Sequence, residues 1–578
     1  MATLEYSGLI LLTDSQQQPT AADKCYDLAI IGAGISSAYT LINYISLLEK
    51  QSTVEERTVA LGANLGDYQA RPVKIVVTEK SGDFWTGIPY GKRSGRNSLL
   101  ISPLKEFIPQ QLEREHFIDW LNANRAPIFD PQVYNQGKMS AKWLSDNADA
   151  IDRGQWDDLF IPRHTFGLYL QERMANLLAT ATAKGLIEID LLTADAIDVQ
   201  QLADGYRVDF VATETNHYFV TNKLVLAIGS PPNIAFERVS GDRQKSDPCY
   251  IDNMYEPSLD ENIDRLCQSL AQLESPSQRQ VLIVGSNAGT LDVLYSIHNS
   301  KAATSLIEKF FILSPNATFP HRIQTAPIQL DYTPQHLAAL LKSDSFTAKQ
   351  ILEAVKQDVA HATSVGINIS DIYSDISKLV MEALNRLNFG EQCQFVSKYA
   401  VEIGKYQRRA GGEYLDVVER AIAERKLELC KGKFVRYLPL TTGGCNCEYF
   451  DPEDRQQKVL DTPIGVVINC GGFQDVTTSS SPLIQNLIRR QICIPNESNR
   501  GFIIDKNFEA SKNCYLMGPL VAGNIDGNFR VWHAESCQRI IGFSQNLATA
   551  LLQSEQLDLP SVTLAPNPES ANVLMNVA

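Results

Sequence analysis

At 578 residues the chain is several times the ~150 residues of a typical domain, so about four domains is the starting expectation. Its 44% hydrophobic and 21% charged content excludes disordered and fibrous classes. A net charge of −15 excludes a general binder of nucleic acid or of an acidic membrane surface, because no overall field draws in a polyanion. A local phosphate-binding loop stays open.

No apolar stretch approaches the ~18 residues of a spanning helix. The short run Leu9 to Leu12 lacks the basic flank of a secretion signal. Eleven scattered cysteines are too sparse for a disulfide scaffold, and Cys445 and Cys447 form a lone C-x-C that reads as reduced, structural thiols. Eight histidines show no H-x-x-x-H spacing, so no metal site is expected. There is no G-x-S-x-G elbow and no Walker lysine loop. The expectation is a cytoplasmic protein acting on a small molecule, with neither nucleic acid nor membrane as partner. Its oligomeric state is not legible.

In chain order, residues 1–23 are polar and Gln-rich and read as a loose arm. Continuous apolar runs follow at Asp27–Ile31, Val73–Val77, Leu224–Ile228, Gln280–Val284, Phe310–Leu313 and Val466–Asn469. Such runs suit strands buried on both faces, and their alternation with helical stretches predicts an α/β fold with parallel sheets. From Thr333 to Leu387 the period becomes helical, through Leu337, Leu340, Ile351, Val355, Ile376, Val380 and Leu384. That stretch reads as an inserted cap. Residues 556–578 read as a tail.

The strongest local signal is DLAIIGAGISSAYTLINYI, residues 27–45. A buried strand enters Gly32-x-Gly34-x-x-Ser37 and passes straight into a helix. Gly32 allows the tight turn, Gly34 lets backbone approach a pyrophosphate, and small Ser37 lets the helix pack on the strand. The helix N-terminus then faces the phosphates. The next strand ends at Thr78-Glu79-Lys80, where an acidic residue accepts hydrogen bonds from adenosine ribose hydroxyls. Glu79 lies 45 residues beyond Gly34, more than the usual ~20, and the polar stretch Gln51–Arg71 reads as the insertion responsible.

A second strand–turn–helix occurs at QVLIVGSNAGTLDVLYSI, residues 280–297, with the pattern Gly285-x-Asn287-x-x-Thr290. Asn tolerates left-handed backbone but crowds a phosphate path that Gly leaves open. Two such units about 250 residues apart match flavoproteins that hold FAD in one domain and NAD(P)H in another. The degenerate second loop leaves open a fold relic without nucleotide.

Beyond these loops the chain resembles the FAD/NAD(P)-binding flavoproteins related to single-component monooxygenases, including the amino-acid N-hydroxylases. GIPYG (87–91), SLLISP (98–103), HFIDWL (116–121), FIPRHTFGLYL (160–170), LAIGSPP (226–232), VINCGGF (467–473) and YLMGPL (515–520) are similar to that family's ordered series. The resemblance implies two Rossmann-like dinucleotide-binding domains with a helical insertion. It implies a discontinuous FAD domain, 24–240 with 460–555, around a second, NAD(P)-type domain, 278–332 with 388–459, and a cap at 333–387. It places Gly229, Gly471 and Gly518 at the flavin site with Glu79 and Lys80. Arg163 is read either as a contact of the FAD pyrophosphate or as a structural partner of a carboxylate. The segment NIDGNFRVWHAES (524–536) is expected to pass under the flavin ring, bringing Asn528, Arg530, His533 and Glu535 close to it, with Arg530 and His533 as catalytic candidates.

The chain also departs from the series. Ile101 stands where the family carries Asn. After FFILS, where the family carries an Arg pair and Gly, Ser314 is followed by Pro315, Asn316 and Ala317, removing the planar fork that grips the 2′-phosphate of NADPH. His321-Arg322 and Arg408-Arg409 are candidate substitutes. The resulting expectation is a monooxygenase in which NAD(P)H reduces FAD and a flavin C4a-hydroperoxide oxygenates a small amine or similar nucleophile. The alternatives are an FAD-dependent dehydrogenase or oxidase with a vestigial nicotinamide domain, and a non-catalytic flavin-binding scaffold.

Overall fold

The computed structural model describes residues 25–60, 71–238, 249–324, 332–526, 529–533 and 536–553. The expected arm (1–23) and tail (556–578) lie outside these residues. The first sheet grows from Cys25–Ile31, which pairs in parallel with Val73–Glu79 on one side and with Thr215–Leu226 on the other. Ile187–Thr193 extends it beyond Val73–Glu79, and Cys514–Leu516 joins Thr215–Leu226, both in parallel. Leu28, Ala29 and Ile30 are buried, because a central strand covered on both faces cannot alternate polar and apolar residues. Strands Asp195–Gln201 and Tyr206–Ala212 form an antiparallel ribbon on the side of Thr215–Leu226.

The first helix, Ile35–Ala60, is 26 residues long. The stretch from Gln51, expected as an insertion, thus begins as its continuation, and the long helix accounts for part of the distance to Glu79.

A second parallel sheet has the order Leu427–Lys431, Lys309–Ser314, Gln280–Val284, Val466–Asn469, Tyr250–Ile251. Val466–Asn469 was expected to rejoin the first sheet with the rest of 460–555; it instead pairs with Gln280–Val284. An all-apolar run buried on both faces fits between strands of either sheet, so its composition does not say which one receives it. The chain re-enters the first sheet at Glu509–Ser511, which pairs antiparallel with Cys514–Leu516 at the edge of that sheet.

The helical insertion also runs past its expected end at 387. Helices Gln335–Leu340, Ala348–Ser364 and Ile369–Arg386 are followed by Phe389–Gln394, a π-turn at Phe395–Tyr399 and Ala400–Tyr406. One core joins them, with Leu337, Ile351, Val355, Ile372, Ile376 and Leu384 packed alongside Phe395, Val396, Ala400 and Ile403. Thr347 and Gln350 close a capping box at the start of Ala348–Ser364, satisfying two otherwise orphaned donors. Buried Asp358 accepts the His336 and Leu337 backbone N–H groups at 2.8 and 2.9 Å, so one cap helix caps the helix before it. The nucleotide-type fold resumes at helix Gly412–Ala423.

Candidate functional site

Three chain segments converge on the N-terminus of the first helix. Gly32 has φ +91° and an ideal Cβ there would lie 2.4 Å from Ala227 O; its N–H donates to Thr78 O at 2.9 Å. A side chain at Gly32 would therefore break the junction of three strands. Gly34 differs: its Cβ direction meets only the Gly87 backbone, at 3.6 Å, so here the glycine keeps a surface open. Ser37 Oγ donates to Gly32 O and ties the helix to the loop. Gly229 has φ +78° and nothing within 4 Å of its Cβ direction, and Gly518 has φ +92° and lies against Ser36.

Glu79 sits at the end of the second strand. One carboxylate oxygen accepts Ala33 N–H at 3.1 Å, and the other accepts Ser81 N–H at 3.1 Å and its hydroxyl at 2.8 Å. The carboxylate is thereby fixed beside the glycine loop. Lys80 turns to Glu256 at 3.7 Å. Trp85 donates its backbone N–H to Ala33 O at 2.5 Å. Its indole N–H and the Thr78 hydroxyl are buried without partners. An open glycine cradle, a helix N-terminus with no acidic residue in its first turn and a fixed acidic strand end fit FAD. Sequence reasoning passed over Trp85, which lies two residues before the GIPYG stretch (87–91) that carried part of the resemblance, and the role of Gly87 within it.

The second loop repeats this backbone. Gly285 has φ +113° and its Cβ direction lies 2.2 Å from Cys470 O; its N–H donates to Leu313 O at 2.9 Å. Thr290 Oγ1 donates to Gly285 O at 2.9 Å, as Ser37 does in the first loop. Asn287, at the Gly34 position, is the N-cap of helix Ala288–Asn299 but its side chain makes no capping hydrogen bond. The strand end differs more. The Ser314 hydroxyl accepts Ala317 N–H at 3.1 Å, closing a neutral turn. Arg322 is taken up by Asp416 at 2.9 Å and Glu419 at 2.8 Å. Arg409 pairs with Glu106 at 3.2 Å and stacks over Tyr373 of the cap at 4.0 Å. Neither arginine is released to grip a phosphate beside Ser314.

One expected contact is corrected, and one open alternative is decided. Gly471 packs against Phe236, with its N–H bonded to Asn469 Oδ1 at 3.0 Å; it follows a strand of the second sheet and so belongs there, not at the flavin loop. Arg163 pairs with the Asp292 carboxylate, which makes it a structural bridge in place of a pyrophosphate contact. Opposite charge and the loss of solvent favour this pair, since a guanidinium withdrawn from water needs a carboxylate beside it and Asp292 supplies one.

The segment after Gly518 forms a hairpin, Asn524–Asp526 with Phe529–Val531; Asn528 and Glu535 lie outside the described residues. Ile525 and Trp532 pack against the cap core, and Arg530 donates to Asn385 of the cap at 2.5 Å. The Arg530 Nε is buried without a partner. His533 reaches the surface, yet burial of its surroundings and the Arg539, Arg500 and Arg408 guanidiniums push its pKa down to about 3. Arg539 donates to His533 O at 2.6 Å and lies 4.7 Å over the Trp532 ring, and burial lowers its own pKa to about 10. Arg500 donates to Trp532 O and, at 3.1 Å, to Val396 O of the cap. The geometry therefore joins Arg530 to the cap through Asn385 and places His533 beside Arg539, with the imidazole's pKa pushed down. Arg500 and Arg539 carried no sequence signal, because hydrogen bonds to the Trp532, Val396 and His533 carbonyls leave no residue-type pattern to read.

Among the described residues no group of three or more His, Cys, Asp and Glu could hold a metal ion, and no helix is long and apolar enough to cross a membrane.

Residues 29–231 match the family described as FAD-NAD(P)-binding. Uncharacterized proteins of Mycobacterium tuberculosis (strain ATCC 25618 / H37Rv) and Mycobacterium bovis (strain ATCC BAA-935 / AF2122/97) are each 30% identical over 553 residues, covering 94% of this chain and 97% of theirs. Among solved structures, the ornithine N-hydroxylase of Kutzneria sp. 744 superposes with a TM-score of 0.51 at 13% identity, covering 92% of this chain and 100% of that one. At that identity the likeness is one of fold.

Proposed function

We propose that this chain, which belongs to one family with its mycobacterial relatives and matches the FAD-NAD(P)-binding family over residues 29–231, is an FAD-dependent monooxygenase acting on a small amine or similar nucleophile. The observation that carries this reading is the pair of loops with matching backbone contacts, Gly32 with Ser37 and Gly285 with Thr290, one for FAD and one for a nicotinamide nucleotide. The hydroxylase named for the similar fold acts on ornithine, which supports an amine as the substrate class. Gly34, Gly518 and the first helix N-terminus would hold the FAD pyrophosphate, and Glu79 the adenosine ribose. Bound FAD would supply two-electron chemistry and reaction with oxygen. The protein's part is to orient the substrate and exclude water. Helix Ile369–Arg386, through Asn385, and the 389–399 stretch lie against the hairpin that carries Arg530, and would form the lid over the reacting groups. Eleven free cysteines fit a reducing, cytoplasmic setting.

Asn287 and the neutral turn at Ser314 favour a second reading, a dehydrogenase or oxidase reduced by its own substrate. Anaerobic mixing decides between them. Bleaching of the yellow protein by NADH or NADPH, followed by amine-dependent oxygen uptake, supports the monooxygenase. Bleaching by an organic substrate alone supports the dehydrogenase, and no bleaching by either leaves a binding scaffold.

A further inference from the structure

The two nucleotide units meet at a charge buried between them. Asp292 stands in the second turn of the helix that follows Gly285, and its side chain is 4% exposed. Three donors from three other segments satisfy it. Arg163 begins helix Arg163–Ala183, which leads into the first sheet. Tyr255, next to the edge strand of the second sheet, donates to Asp292 Oδ2 at 2.6 Å. Tyr414 belongs to helix Gly412–Ala423. Its hydroxyl accepts Leu99 N–H at 2.7 Å and shares its own proton between Leu99 O at 2.8 Å and Asp292 Oδ1 at 3.2 Å.

Leu99 is thus gripped by both of its backbone groups from the opposite unit. Leu100 N–H donates to Ile161 O at 2.9 Å, two residues before Arg163, so the segment leading to Ile101 is suspended between Tyr414 and the start of the Arg163 helix. Around this node a single apolar core runs through both units, containing Ile35 and Tyr39 of the first helix with Leu291 and Leu294 of the helix that bears Asp292. Domains joined by a small polar interface move against each other by default; a shared apolar core removes that freedom. An ion pair adds little to such a core beyond what two apolar side chains would give, and its best-attested use is to select one arrangement among several.

We propose that Arg163, Asp292, Tyr255 and Tyr414 form an interlock that fixes the second nucleotide unit to the first in one orientation and sets the Leu99–Ile101 segment between them. Asp292 and Tyr414 are then positioning residues for transfer between nucleotide and flavin. That positioning role rests on the function proposed above; the interlock itself does not.

Two measurements on the FAD-bound protein test this. In Tyr414→Phe the ring packing is kept and only the hydroxyl is lost. Amide exchange at Leu99 should rise at least tenfold, with the Leu28–Ile31 amides unchanged as the internal control. In Asp292→Asn, anaerobic flavin reduction at saturating NADH should fall at least tenfold, while FAD retention and the half-saturating NADH concentration stay within twofold. Unchanged exchange at Leu99 in Tyr414→Phe overturns the interlock. A change confined to half-saturation in Asp292→Asn overturns the positioning role. Wild-type protein that NADH and NADPH both fail to reduce would sink the functional reading, and the exchange at Leu99 would still decide the interlock.

Discussion

The Gly32 and Gly285 loops are two solutions to one geometric problem, and they differ at a single level. Both glycines sit at positive φ with a carbonyl oxygen within 2.4 Å of the Cβ direction, and both accept a hydroxyl from one turn into the following helix. That layer is architecture: it lets a helix start directly above a parallel strand. The ligand-facing layer has diverged. Gly34 becomes Asn287, and charged Glu79, fixed to the first loop at 3.1 Å, is answered by Ser314 closing on its own turn. A nucleotide fold can therefore persist after the determinants of nucleotide choice have changed.

The largest expected effects separate the two layers. Gly32→Ala and Gly285→Ala should each cost about 3 kcal/mol, from unfavourable φ together with overpacking, and both should lower the melting temperature sharply. Gly34→Val should behave in the opposite way. The new Cβ meets only the Gly87 backbone at an ordinary distance, so the fold should survive while the pyrophosphate path is blocked. A folded, colourless protein, judged by melting temperature and by the ratio of flavin to protein absorbance, is the expected outcome. A fully flavinated Gly34→Val protein would remove Gly34 from the site.

Next in size is repair of the second loop. Each charge-assisted bond to a phosphate is worth roughly 1.5–3 kcal/mol. Asn287→Gly combined with Pro315→Arg and Asn316→Arg should therefore tighten NADPH binding at least tenfold. The unmodified protein should bind nicotinamide nucleotides weakly and show little preference for NADPH over NADH. Arg322→Gln should leave NADPH affinity within twofold, because Arg322 already serves Asp416 and Glu419. Tight, NADPH-selective binding by the wild type would show that another cation has replaced the missing pair.

These outcomes follow how the sequence could be read. The two loops were legible because a strand, a glycine turn and a helix are contiguous, and their physics is local. The α/β class was legible for the same reason, from apolar runs long enough to be buried on both faces. Which sheet receives Val466–Asn469 was not, since that depends on a partner strand almost 200 residues away. Arg163 illustrates the limit within the site. Its residue type announced an anion, but whether that anion was a phosphate or Asp292 is fixed only when two helices meet. The cap's end was misplaced because Phe395–Tyr399 continues the helices as a π-turn with no break in composition.

The smallest expected effect concerns pH, and it compares the cap cleft with the boundary between the two units. Burial, then Arg539, Arg500 and Arg408, push His533 down to about 3; burial, then Arg96, push His164 down to about 4. An unfolded histidine titrates near 6.5. Between the folded and unfolded values the unfolded chain binds more protons, so acid favours unfolding. Each imidazole's contribution is complete above about pH 6.5 and declines as pH falls toward the folded value. His533→Phe and His164→Phe should each flatten the acid limb of a melting-temperature profile between pH 7 and 4, and leave the profile above pH 7 unchanged. Each alone should remove only part of the limb, because the other histidine remains. The two also make opposite statements about activity: His533 lies beside the hairpin of Arg530, whereas His164 adjoins the interlock. A neutral imidazole at 533 cannot supply a titrating acid at ordinary pH, so turnover should show no inflection from His533 between pH 5 and 9. An inflection in that range that vanishes in His533→Phe would mean that bound cofactor or substrate lifts the histidine into the working range, and that it exchanges protons during the reaction after all.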